Sequence, residues 1–77
     1  MTAMEEARAV LASALGVSPG DIAEDTRIGT IEAWDSLGHM RLLLEIETAL
    51  GHELDPDDAM GIESLEDVAR VLAGRAA

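Results

Sequence analysis

Four cap-and-stop pairs punctuate this chain and leave room for little except helices. Thr2 followed three residues later by Glu5 is a capping box. Met4, Ala7, Val10, Leu11, Ala14 and Leu15 then recur at helical spacing, and Gly16 supplies a left-handed stop onto which Val17 can fold back. Asp35 stands as N-cap of a second helix over 36–50, with Gly51 as its stop. Asp55-Pro56-Asp57-Asp58 repeats the grammar, with Asp55 as cap, Pro56 at the first helical position and Asp58 at the third, and Gly61 keeps that helix short. Ser64 with Asp67 is a further capping box. Leu65, Val68, Ala69, Val71 and Leu72 form the buried side of the last helix, Gly74 can end it, and Arg70 and Arg75 suit its negative C-terminal end. No segment alternates with the period of a strand, and no repeat is visible. The expected fold is all-α: three main helices plus a short third one, with a long loop between helices I and II.

That loop carries signals of its own. Ser18-Pro19-Gly20-Asp21 can cap a single turn, with Pro19 at its first position and Asp21 reaching back, and Ile22, Ile28 and Ile31 are its expected apolar anchors. A loop of this length in a compact domain is more often functional than idle, because ordering it costs entropy that packing must offset. It reads as the frame that delivers Trp34-Asp35-Ser36 to the start of helix II.

Length and charge bound the function. The 77 residues make one domain, 1–77, which buries about 60% of the surface its unfolded chain exposes. Without cysteine there are no disulfides, thiolate metal sites or thiol nucleophile of its own, so any sulfur chemistry comes from an attached group. Sixteen acidic residues against five arginines give a formal charge of −11, which repels nucleic acid and anionic membranes and favours basic partners. Trp34 is the sole aromatic, so the core must be aliphatic, and Trp34 itself either packs in it or shields the Ser36 region. No apolar run is long enough to span a bilayer, and Met1 to Glu6 lacks the features of a signal peptide. A cytoplasmic monomer is expected.

Helix II has two apolar stripes. At 100° per residue, Leu42, Ile46 and Leu50, with Leu43 and Ala49 beside them, fall on one side, and Leu37, Met40 and Leu44 fall roughly opposite. One stripe can face the core; the other is exposed or packs on the long loop. Gly38 occupies the third helical position, where the other helices place an acid. The first amides of helix II therefore keep fewer side-chain partners, the helix end favours an anion, and Gly38 leaves room for it.

Residues of catalytic type are present but badly arranged for catalysis. Asp35, Ser36 and His39 lie within five positions at one helix start, which does not give triad geometry, and so small a chain builds no deep pocket. His39 falls near Leu42 and Ile46 on the helical wheel and reads as a half-buried packing residue. Asp55, Asp57 and Asp58 suggest a calcium loop, which Pro56 and the missing Gly and closing Glu contradict. His52 and His39 have no metal-ligand spacing. The chain is expected to be no enzyme and to hold no metal.

Asp35-Ser36-Leu37 at the start of an apolar helix, after a long loop in an acidic chain of this length, resembles the acyl carrier proteins, the phosphopantetheine-attachment family. The resemblance runs from Leu15-Gly16-Val17 through Ile22, Ile28 and helix II to Glu53-Leu54-Asp55-Pro56 and Ser64-Leu65. It implies an acyl-carrier-like four-helix bundle whose Ser36 receives 4′-phosphopantetheine from coenzyme A. Asp35, Leu37 and Gly38 would flank that group, with Asp35 helping on the metal side during loading. The arm's thiol would then hold cargo as a thioester. The implied partners are a phosphopantetheinyl transferase, an acyl- or aminoacyl-loading ligase, and downstream synthase or transferase enzymes. They would dock on Leu37, Met40, Arg41, Leu44, Glu45, Glu47, Asp57 and Asp58. Many fatty-acid carriers are acidic where this chain has Gly38 and Arg41, which points to a dedicated pathway such as polyketide or specialised fatty-acid synthesis. The alternatives are a peptidyl or aminoacyl carrier and an unmodified helical interaction module.

Overall fold

The computed structural model describes residues 2–74. Its helices are α1 (Ala3–Leu15), α2 (Ser36–Leu50), α3 (Pro56–Gly61) and α4 (Leu65–Gly74), and a 3-10 turn, Pro19–Asp21, lies in the long loop. The helix boundaries follow the caps. Thr2 Oγ1 accepts from the Glu5 amide while Glu5 accepts from the Thr2 amide, a complete capping box. Gly16 and Gly51 stop α1 and α2 at φ 71° and 81°, the left-handed region that favours glycine.

Three of the capping expectations take a different form. The Asp21 side chain does not reach back; Ser18 Oγ alone caps the 3-10 turn, accepting from the Gly20 amide. Asp55 occupies the N-cap position of α3 without a side-chain bond to it. At α4, Ser64 Oγ accepts from the Asp67 amide, but Asp67 Oδ2 accepts from the amide of Glu63 rather than that of Ser64. Asp67 also pairs with Arg70 at 2.9 Å, so Arg70 serves an ion pair. Arg75 lies outside the described residues.

Both α2 and α4 pack on α1. The core joins Ala7, Leu11 and Leu15 of α1, Leu42 and Ile46 of α2, Leu65, Val68 and Leu72 of α4, and three side chains from the connections, Ile22, Trp34 and Ile62. Burying an aliphatic side chain contributes about 1.5–3 kcal/mol, so these contacts rather than helix propensity hold the bundle. Trp34 is fully buried and supplies the bulk the aliphatic residues lack.

The long loop is anchored differently from the expectation. Ile22 is buried and Ile31 half-buried, but Ile28 is 40% exposed. The backbone of Ile28 does the anchoring: its amide donates to the Glu63 carbonyl at 2.8 Å, and the Leu65 amide donates to the Thr26 carbonyl at 2.9 Å. Arg27 and Ser64 form an isolated antiparallel bridge between these bonds. The loop is thereby pinned to the start of α4, and its last residues are carried onto α2.

Candidate functional site

The segment 33–39 is held by three local contacts. Asp35, in extended conformation, accepts the Gly38 amide on Oδ1 at 2.8 Å, so α2 is capped as its sequence predicts. Gly38 is buried because its Cα lies against the Ala33 carbonyl and the Leu15 side chain, where a Cβ would collide with both. This gives the glycine a reason within the fold: its missing side chain makes room for the loop backbone. The third contact joins side chains. Trp34 Nε1–H donates to His39 Nδ1 at 3.1 Å, with the rings stacked at 19° and their centroids 6.3 Å apart. His39 is half-buried, as expected, but for a partner no wheel projection could show.

Ser36 is the first residue of α2, exposed to solvent, and its hydroxyl makes no hydrogen bond among the described residues. Unlike α1, α3 and α4, α2 has no acidic residue in its first turn. By helix geometry the first amides have no carbonyl within the helix to bond, and that of Gly38 has taken the Asp35 carboxylate. The end of α2 next to Ser36 therefore keeps part of its positive dipole uncompensated.

Below Ser36 the outer stripe of α2 is open. Leu37, Met40 and Leu44 are 56%, 63% and 63% exposed, so the stripe does not pack on the loop. Their spacing of three and four residues puts them on one face. Arg41 is exposed and forms no ion pair among the described residues. Asp57 and Asp58 are exposed in the first turn of α3, and Glu45 is half-buried. Glu47 stands apart from this set: its carboxylate accepts the Leu54 amide at 2.9 Å and so ties the α2–α3 connection instead of facing outward freely. Met60, 80% exposed on α3, is an apolar surface residue that sequence reasoning missed. A helix of six residues has too little periodicity to reveal which side of it faces out.

An acidic bundle with an aliphatic core that offers a free hydroxyl at a helix start, beside an open apolar stripe, presents a group for others to act on. The family model described as the phosphopantetheine attachment site matches residues 5–72. The chain belongs to that family. It is similar over 75 residues, at 28% identity, to the acyl carrier protein of Chlamydia trachomatis serovar D (strain ATCC VR-885 / DSM 19411 / UW-3/Cx), with 97% of each chain covered. The acyl carrier protein of serovar A (strain ATCC VR-571B / DSM 19440 / HAR-13) gives the same figures. As a member of the phosphopantetheine-attachment family this carrier is not an enzyme, and its cofactor is covalently attached 4′-phosphopantetheine. The residues fit such a group: a phosphodiester needs an unengaged, exposed hydroxyl and gains from a positive helix end, and the start of α2 has both.

Proposed function

We propose that this chain carries acyl groups as thioesters on a phosphopantetheine arm attached to Ser36, in a dedicated pathway such as polyketide or specialised fatty-acid synthesis. The observation that carries the reading is the exposed, unbonded hydroxyl of Ser36 directly above the stripe of Leu37, Met40 and Leu44. In loading, Ser36 Oγ attacks the β-phosphorus of coenzyme A. The new O–P bond replaces the anhydride bond, adenosine 3′,5′-bisphosphate leaves, and the hydroxyl proton passes to a base of the transferase. The bound arm supplies the thiol that holds the cargo.

The chain's own part is presentation. Asp35 holds the first turn by its cap, the open helix end favours the phosphodiester, and the exposed stripe offers an amphipathic face to partner grooves. Asp57 and Asp58, exposed in the first turn of α3, add negative charge that draws basic partners. Arg41 is a cation in this acidic setting and marks partners with an acidic counterpart. That supports a dedicated pathway over the commonest fatty-acid system.

Intact mass after incubation with coenzyme A, magnesium and a broad-specificity phosphopantetheinyl transferase tests the attachment. The wild type gains one phosphopantetheinyl mass and Ser36→Ala gains none. A folded wild type that stays unmodified overturns the reading and leaves an unmodified interaction module. Loading of the modified protein with acyl against aminoacyl donors then decides the cargo.

A further inference from the structure

We propose that His39 is a positioning residue for Ser36: by accepting the Trp34 indole proton on Nδ1 it fixes the loop end that presents Ser36, so neutral His39 is the form competent for loading. The proposal rests on Ser36 being the attachment point.

The two rings join the chain on either side of Ser36. Trp34 lies two residues before it, and His39 lies three residues after it, one helical turn into α2. Trp34 is itself fixed to the loop. Its amide donates to the Ile31 carbonyl at 3.1 Å, and its carbonyl accepts the Gly29 amide at 3.1 Å. The side-chain bond of 3.1 Å between Trp34 and His39 therefore ties the turn that precedes Ser36 to the turn that follows it. Of the three contacts over this segment, only the Trp34–His39 bond is made by an imidazole, the side chain that changes charge near neutral pH.

An indole nitrogen only donates, so the bond requires a lone pair on Nδ1 and places the His39 proton on Nε2. In the imidazolium both nitrogens carry protons, and two N–H groups then face each other. Trp34 is fully buried and has no water to turn to. No other side chain takes its indole proton among the described residues. Protonation of His39 thus leaves a buried donor unsatisfied, a condition that native structures avoid, and the segment relaxes by separating the loop end from α2.

Burial places the titration of His39 below the ordinary histidine value, with no charged neighbour contributing. At the start of its own helix the N-cap carboxylate of Asp35 is engaged with the Gly38 amide. On α1, Arg8 bonds the Ile22 carbonyl and Glu5 the Thr2 amide. On α4, Asp67 and Arg70 pair with each other. In the loop, Arg27 pairs with Glu63, and Asp21, Glu24, Asp25 and Glu32 are exposed. Among the described residues no charged group acts on the His39 ring.

The test compares wild type, His39→Asn and His39→Leu. Asparagine keeps an acceptor at the δ position and cannot be protonated; leucine keeps bulk and removes the acceptor. Loading by one transferase preparation is followed by intact mass from pH 5 to 8, and rates are expressed relative to His39→Asn at each pH to cancel the enzyme's own profile. In parallel, nuclear magnetic resonance follows the Trp34 indole N–H and the His39 ring in the unloaded wild type. The expected result is that both resonances titrate with one midpoint. The wild-type ratio should fall about fivefold below that midpoint, the scale of one hydrogen bond, and His39→Leu should be slow at every pH. An indole signal that ignores the His39 titration overturns the proposal even without a variant, as does His39→Leu loading like His39→Asn throughout. If the pair titrates as expected but no variant is loaded, Ser36 as attachment point is what has failed.

Discussion

Gly38 lies against the carbonyl of Ala33 so closely that no side chain fits between α2 and the end of the long loop. Gly38→Ala must push the loop away from the helix or displace Leu15, and overpacking of this kind costs about 1–3 kcal/mol. Gly61, at the end of α3, has open space around its missing Cβ, so Gly61→Ala is expected to be neutral or slightly stabilising, by up to about 1 kcal/mol. Urea denaturation of both variants checks the contrast.

Asp35→Ala removes the acceptor of the Gly38 amide and should cost about 1 kcal/mol. The loss should be local to the start of α2, so hydrogen exchange should quicken at residues 36–39 while the buried turn around Leu42 and Ile46 keeps its protection. A uniform change along α2 would contradict the cap as the cause.

The outer stripe separates binding from stability. Met40→Glu and Leu44→Glu alter side chains that are 63% exposed, so stability should stay within about 0.5 kcal/mol. Their loading efficiency, as kcat/KM for the transferase, should nonetheless fall, and in the wild type it should also weaken as salt screens the acidic face. A fully active Leu44→Glu variant would show that partners do not use this stripe.

Stability should fall in two stages on acidification. His39 has its folded pKa lowered from 6.5 by burial. The unfolded chain therefore binds the proton first, and the His39 contribution, complete above about pH 6.5, is lost as pH falls towards the folded value. Asp67 is raised by burial but lowered more by bonds from Glu63, Ser64 and Arg70, for a net decrease from 3.8. Glu5 is lowered from 4.5 chiefly by its bonds with Thr2. Both carboxylates stabilise above their unfolded values and lose that contribution as pH falls through their folded ones. Thermal melts of His39→Asn should lack the upper stage and keep the lower.

The helices were legible in the sequence because their determinants are local. A cap, a stop glycine and a 3.6-residue stripe act within one or two turns, so α1 and α2 have the boundaries predicted, Ser36 opens α2, and Leu37, Met40 and Leu44 face outward. The Trp34–His39 bond was not legible, since it depends on how a loop folds back on a helix and no periodicity runs through that turn. The role of Gly38 stayed hidden for the same reason: Ala33 and Leu15 meet it only in three dimensions. Ile28 looked like an anchor by composition, yet its backbone rather than its side chain holds the loop. Asp55 has the right place for a cap and no bond, which position alone could not reveal.

The bridge at Arg27 and Ser64 fixes when in the life of the chain the site comes into being. Thr26 and Ile28 find their backbone partners only at Leu65 and Glu63, and closing so long a segment costs entropy that is recovered only when both ends are present. A nascent chain that has emerged only through α2 already contains every residue from Trp34 to His39, but it lacks the strut that steadies the loop before them. The presentation of Ser36 proposed above therefore requires α4 and is not available to a chain that stops at the end of α2.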